Sequence, residues 1–394
     1  MEFDILWTSA TAQHREMYLA RRANAWRDVF PPGLQERLKG SGPGDRVTVR
    51  YGPGEAVAAY RQDKVMARRR SEFRPPSFAG RSVELRFGRF YPEGTLIRVP
   101  GLSPGNIRPF RVVGLSEEGF TADLNHPLAL ASLELRVRIP ETAGNYSDAG
   151  GRIFPWTEDI LDRGPGMQAR WQGQPTDFWA PEGFRRQNER DDAEFHARAR
   201  MVGHVDSLAS SFIRQEYERY LKPGMKVLDL MSSVQSHLPG DMELTVLGLG
   251  MNREELAGNP RLDGYRVQDL NADPSLPYPD AEFDLAVCSL SVEYLVRPLA
   301  VMRELSRVLP PGGRCLVSFS NRCHPSKAIA QWSELNEFER MGLVQEYFLQ
   351  SGRFGDVRTF SRRNWERPET DPYSPGLSSA DPVYVVAARA STRS

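Results

Sequence analysis

Cysteine is scarce: Cys288, Cys315 and Cys323 are the three in 394 residues, and no pair has C-x-x-C or zinc-finger spacing. That excludes a disulfide scaffold and points to a reduced, cytoplasmic chain. Long apolar runs are missing as well. None approaches the ~20 residues that span a bilayer, and the start, MEFDILWTSATAQ, lacks a basic leader and an apolar core. Neither a membrane nor secretion is expected. An excess of one charge is absent, with 51 Lys+Arg against 51 Asp+Glu. With no basic patch flanked by aromatics, nucleic acid is not an expected partner. The most telling absence is local. The chain has 33 glycines, yet Lys226–Pro239, KVLDLMSSVQSHLP, has none.

What is present divides in two. Residues 1–140 hold 22 Lys+Arg against 15 Asp+Glu, and the remainder holds 29 against 36. Two halves of opposite sign suit two domains that attract one another, or ordinary solvated surfaces. In the first half, Arg46–Tyr51, Ser82–Phe87, Phe110–Leu115 and Leu133–Ile139 alternate with period two and read as strands between Gly/Pro turns. Gln13–Asp28 reads as the one helix there, with Met17, Leu19, Ala23 and Trp26 facing the core. Residues 141–195 keep no period and read as an irregular connector anchored by Trp156, Trp171, Phe178 and Trp179.

From 196 to 394 the pattern alternates. Val205–Tyr220 reads as a helix, Lys226–Leu230 and Glu243–Leu249 as strands, Arg253–Ala257 as a helix start and Tyr265–Asp269 as a strand edge. Phe283–Ser289, Arg314–Ser320 and Pro382–Ala388 read as strands, and Pro298–Val308 and Pro325–Gln350 as helices. Apolar strands separated by amphipathic helices predict a doubly wound α/β fold with a parallel sheet covered on both faces. Such sheets bind ligands at the strands' carboxyl ends, where strand order reverses.

Within this half, Leu221–Leu230 (LKPGMKVLDL) and Leu276–Arg322, with its run Glu304–Gly313, resemble the class I, type 11-like, S-adenosylmethionine-dependent methyltransferases. The resemblance implies a Rossmann-like fold and S-adenosylmethionine as cofactor. It implies a cofactor site from Asp229 and the loop Met231, Ser232 and Ser233, which stands where the family carries glycines. It also implies Gly250, Met251 and Asn252 (or Glu254) at the ribose position, Asp269 and Leu270 at the adenine, and Ser289 after the fourth strand. Methyl transfer needs an aligned nucleophile and often a base. His237 in the loop is the candidate base; Glu293, Tyr294, Arg322 and His324 share the same sheet edge. His196 and His204, two helical turns apart, could join His237 or Cys323–His324 on a metal, but scattered histidines are more often hydrogen-bonded core residues, and no metal is expected.

Phe30–Ala56 and Thr121–Ile139, with the run Asn125–His126–Pro127–Leu128, resemble the FKBP-type prolyl isomerases and their SlyD branch. This implies an FKBP/SlyD-like β-rich domain over 1–140, with a flap insert at 81–119 and a groove lined by Phe30, Tyr60 and Phe73. Ala56–Val57–Ala58 replaces the family's Ala-Tyr-Gly, and Leu135 stands where Phe is common, so binding is expected ahead of isomerisation. The combined expectation is a methyltransferase with a peptide-binding module, acting on a protein or peptide. A chaperone with a silent methyltransferase fold and a small-molecule methyltransferase are the alternatives.

Overall fold

The protein is described here by a computed structural model covering residues 1–78, 80–140 and 151–391. The first ten residues of the expected connector, 141–150, lie outside the described residues. Two compact units emerge: Met1–Ala180 with Glu334–Leu343, and Pro181–Ser333 with Val344–Ser394.

The first unit opens with an antiparallel hairpin, β1 (Glu2–Thr8) and β2 (Ala12–Leu19). The expected helix over Gln13–Asp28 is therefore corrected. Ala12, His14, Glu16 and Tyr18 are buried while their neighbours are not, so the buried period is two and not 3.6. Trp26, expected in the core, is half exposed. Helix α1 (Leu34–Lys39) follows, burying Leu34 and Leu38, and then β3 (Arg46–Tyr51). Next come β4 (Val65–Arg69), the two-residue strands β5 (Ser77–Phe78) and β6 (Arg81–Ser82), β7 (Phe90–Pro92), β8 (Pro109–Leu115), β9 (Gly119–Asp123) and β10 (Leu133–Arg138). The expected strand Ser82–Phe87 is mostly irregular: Val83 and Leu85 reach a core without a hydrogen-bonded ladder.

Two sheets result. One runs β2-β1-β10-β3, all antiparallel; the other runs β4-β9-β8-β7. In the first, Phe3, Ile5, Trp7, Leu133, Leu135, Val137 and Val47 form one buried face. The opposite face carries ion pairs such as Arg15–Asp4 and Arg138–Glu2. The second sheet has its own core, Phe73, Tyr91, Phe110, Val112 and Phe120. Phe30 belongs to the first core and Phe73 to the second, so the three expected groove residues do not share one wall.

The second unit holds α2 (Asp192–His196), α3 (Ser207–Glu218), β11 (Lys226–Leu230), β12 (Thr245–Gly250), α4 (Arg253–Ala257), β13 (Gly264–Val267) and β14 (Leu285–Ser289). It continues with α5 (Pro298–Val308), β15 (Arg314–Phe319), α6 (Glu337–Gln350, of which Val344 onward belongs here), β16 (Phe354–Arg363) and β17 (Val383–Ala390). Its strands run in the order β13-β12-β11-β14-β15-β17-β16. The first five are parallel; β17 runs antiparallel to both of its neighbours, β15 and β16, so β16 points the same way as the first five. This is a Rossmann-like α/β sheet, and strand order reverses between β11 and β14. The strands are apolar on both faces because helices cover both: α3 buries Phe212, Ile213 and Tyr217, and α5 buries Val301, Met302 and Leu305. In α5, Glu304 accepts from Leu276 N, while Arg307 donates to the carbonyls of Leu276 and Tyr278. That pins the turn leading into β14.

Candidate functional site at the carboxyl edge of the parallel sheet

The loop leaving β11 keeps a glycine-like backbone without glycine. Met231 has φ 54° and His237 φ 52°, and Leu290, just past β14, has φ 55°. Left-handed non-glycine residues cost of order 1–3 kcal/mol each and gather where a site demands the geometry. Side chains now do the holding. Ser232 Oγ donates to Asp229 Oδ2 at 2.6 Å, and Ser233 Oγ to Glu255 Oε2 at 2.7 Å. Asn259 Nδ2 donates to Ser233 O and Ser236 Oγ. Ser232 N donates to Leu249 O, continuing the β11–β12 ladder into the loop. A side chain at Gly250 would overlap the Ser232 carbonyl, so glycine is required there by close approach. Ser291 Oγ reaches Met231 O at 3.4 Å, so the loops after β11 and β14 meet at the switch point.

Burial sets the electrostatics. Asp229 is fully enclosed, and burial pushes its carboxyl up to about 6 against the opposing hydrogen bonds from Ser232 and Ser236. His237 is buried, and burial, with help from His204, lowers its imidazole to about 4. Its Nδ1 lies 2.8 Å from Ser210 Oγ on α3. The ring is therefore neutral at pH 7. Burial lifts the Tyr294 phenol well above its ordinary value, and its oxygen accepts from His324 N.

Other residues named from the sequence are placed as follows. Asn252 caps α4: Oδ1 accepts from Glu254 N and Glu255 N, and Nδ2 donates to His196 O. The acidic side chain facing the loop is the buried Glu255, with Glu254 exposed. Nothing in the sequence distinguished the two except helix phase. Asp269, half-buried after β13, accepts from Asn271 N through Oδ1, and its Oδ2 accepts from no described residue. Met251 is half-buried and Leu270 buried. Ser289 Oγ and Ser318 Oγ flank the Tyr217 hydroxyl at 2.9 and 2.7 Å. Arg322 pairs with Asp381, and Glu293 is buried after β14. Among the described residues, no cluster of three His, Cys, Asp or Glu has metal-binding geometry.

One feature was not read from the sequence. The segment from Arg190 to His204 crosses the whole edge. Asp192 accepts from Arg186 Nη1, Lys327 Nζ and Asn271 Nδ2, at 2.6 to 3.0 Å. Arg200 N donates to Glu255 Oε1, and His204 Nε2 lies 3.4 Å from Ser233 Oγ. The Phe195 ring meets His324 edge-on at 5.5 Å. The residues following β11, β12, β13 and β15 are thus tied to one strap.

Residues 241–317 match the family model described as "Methyltransferase domain". The C-terminal unit carries a class I methyltransferase domain. Over 149 residues it is 31% identical to the ubiquinone/menaquinone biosynthesis C-methyltransferase UbiE of Shewanella baltica (strain OS155) and to that of Shewanella oneidensis. The match covers 33% of this chain and 59% of each relative. The chain thus spans under two thirds of those proteins' length. Among solved structures, the [4+2]-cyclase SpnF aligns over 47% of this chain and 82% of its own, at 19% identity and TM-score 0.34. A S-adenosylmethionine-dependent methyltransferase from Aquifex aeolicus covers 46% and 91%, at 19% identity and TM-score 0.31. The β13-β12-β11-β14-β15 order, and not these superpositions, carries the fold.

Proposed function

We propose that the C-terminal unit binds S-adenosylmethionine across the carboxyl ends of β11 to β14 and transfers its methyl group to an acceptor. The match of residues 241–317 to a methyltransferase domain carries this reading. Three features of the edge fit the cofactor. Asp269 keeps a carboxylate oxygen for an amine donor. Met231 holds a left-handed backbone where the resemblance expects glycine. Asp229 and Glu255 hold the Ser232 and Ser233 hydroxyls, which fixes the loop's path. When bound, the cofactor supplies an electrophilic methyl on a sulfonium. His237 is the proton acceptor in this reading. Ser210 holds Nδ1, and burial keeps the ring unprotonated down to about pH 4, so it takes a proton that the transfer itself has made acidic. Leu270, Ser289, Gly250 and Met251 would help hold the cofactor, and Asn252 supports that corner as the cap of α4.

The acceptor is a small molecule in the reading favoured by the relatives, whose printed name is that of a C-methyltransferase of quinone biosynthesis. A protein or peptide acceptor draws instead on the FKBP/SlyD resemblance. Calorimetric titration of the full chain with S-adenosylmethionine and its demethylated product tests the central proposal. Micromolar binding weakened tenfold or more by Asp269→Ala is expected. Absence of binding by the folded chain refutes it.

A further inference from the structure

The strap carries a guanidinium that the chain does not neutralise. Arg200 is half-buried at the carboxyl edge, and among the described residues no carboxylate forms an ion pair with it. The acids of the strap and of α4 are engaged elsewhere. Glu255 takes the Arg200 main-chain N–H on Oε1 and the Ser233 hydroxyl on Oε2. Asp192 takes Lys327 on Oδ1 and Arg186 on both oxygens. The Arg200 head group is held by other means. It lies 4.5 Å from the centre of the Phe195 ring, and Nη2 donates to Phe195 O at 3.3 Å. Among the described residues that is its one side-chain hydrogen bond, which leaves most of a five-donor fork unused.

The head group stands toward one end of the edge. The Phe195 ring meets His324, after β15, and His324 N donates to the Tyr294 hydroxyl, after β14. Burial first, and then the Arg200 charge, lower the His196 and His324 imidazoles, so both rings are neutral at pH 7. The same charge reaches the His204 imidazole and the Tyr294 phenol, both governed first by burial. His324 is exposed, so this corner is open to solutes. In the proposed reading the cofactor runs from Asp269, after β13, over the β11 loop toward β14. The acceptor then stands on the β14–β15 side, where Arg200, Tyr294 and His324 gather.

We propose that Arg200 binds the methyl acceptor and that the acceptor carries a carboxylate beside a flat apolar ring. A guanidinium fork matches the two oxygens of a carboxylate. One uncompensated positive charge balances a single negative charge, which favours a carboxylate over a doubly charged phosphate. Phe195 and His324 offer aromatic surface to a planar body. The identity of the ligand rests on the methyltransferase reading; the uncompensated charge does not.

The probe is naphthoate, ionised at neutral pH, with naphthalenemethanol as its uncharged counterpart. Each is titrated by ligand NMR at low salt into the full chain saturated with S-adenosylhomocysteine, the demethylated cofactor. The parent should bind the anion at least about tenfold more tightly than the alcohol. Arg200→Met keeps an apolar stem on Phe195 and the main-chain bond to Glu255. It should abolish the preference and leave S-adenosylhomocysteine affinity unchanged, while Arg200→Lys should keep part of the preference. Should the Met variant lose its melting transition, Arg200→Gln takes its place. A parent without the preference, or a folded uncharged variant that retains it, overturns the proposal. The cofactor's own carboxylate is the other source of the same chemistry. If it occupies Arg200, the Met variant binds S-adenosylhomocysteine more weakly and methylthioadenosine, which lacks the carboxylate, equally well; the acceptor assignment then falls. A chain that binds naphthoate through Arg200 but never S-adenosylhomocysteine keeps the charged subsite and refutes the methyltransferase reading.

Discussion

Replacing His237 with Asn isolates the electrostatics of the β11 loop. Asn is the non-glycine residue best suited to φ 52°, and its amide reaches where Nδ1 now meets Ser210 Oγ. Packing lost with the rest of the ring costs about 1–2 kcal/mol at neutral pH. The titration then works in the opposite direction. On folding, the imidazole falls from 6.5 to about 4 because it is buried. Below pH 6.5 the unfolded chain binds a proton that the folded chain refuses. The stability this histidine contributes is therefore complete above pH 6.5 and is lost as pH falls through 4. At ~1.4 kcal/mol per pH unit, the loss is about 3 kcal/mol. Asp229 titrates nearby in the opposite sense, raised from 3.8 to about 6. It is common to both proteins, so it drops out of their difference. The variant should be less stable than the parent at about pH 7, equal near pH 5 and more stable by about 1–2 kcal/mol at pH 4. Urea unfolding, followed by hydrogen-exchange mass spectrometry of peptides from α3 and β11, reads this unit's transition. A difference that stays flat from pH 6.5 to 4 would show that His237 is solvated and the loop open.

Three further outcomes follow from the same edge. Met231→Gly removes a left-handed side chain and should stabilise the C-terminal unit by about 1 kcal/mol in urea, the strain relieved exceeding the entropy glycine adds to the unfolded chain. Asn252→Ala should cost about 1–2 kcal/mol, because both helix-capping bonds and the tie to His196 O are lost; an unchanged midpoint would argue against the cap. Asp192→Ala should cost about 3–5 kcal/mol by leaving the buried Lys327 ammonium without its carboxylate, while Arg186 keeps only Glu189. Burial pushes the Asp192 carboxyl up, but the bonds from Arg186, Lys327 and Asn271 outweigh it and hold it below its ordinary value. The parent should therefore lose that stability only in acid, as Asp192 is protonated, and the variant should show no such loss.

The C-terminal unit was largely legible from the chain because its signals are local. Lys226–Leu230, Arg253–Ala257 and Pro298–Val308 form the elements their patterns predict, since buried strands need continuous apolar runs and amphipathic helices repeat every 3.6 residues. The glycine-free loop was also visible in sequence. The N-terminal hairpin was not. In Ala12–Leu19 the buried positions include His14 and Glu16, whose polarity hid the period of two. Their polar groups are met across the hairpin and from afar: Trp7 stacks on His14 from the neighbouring strand at 3.8 Å, and Gln168, distant in sequence, bonds Glu16.

The sequence by itself determined a doubly wound half, a β-rich half and a carboxyl edge of the parallel strands as the place to look for a site. Periodicity, length and turn chemistry are properties of neighbouring residues, and these statements need nothing more. Only the tertiary structure decided that Glu255 and not Glu254 faces the loop and that Asn252 serves as a cap. It alone decided that His237 is buried and neutral, and that Trp156, Ile160 and Leu161 pack into the core of the first sheet. Each of these depends on which distant group removes water from a side chain, and that follows from packing.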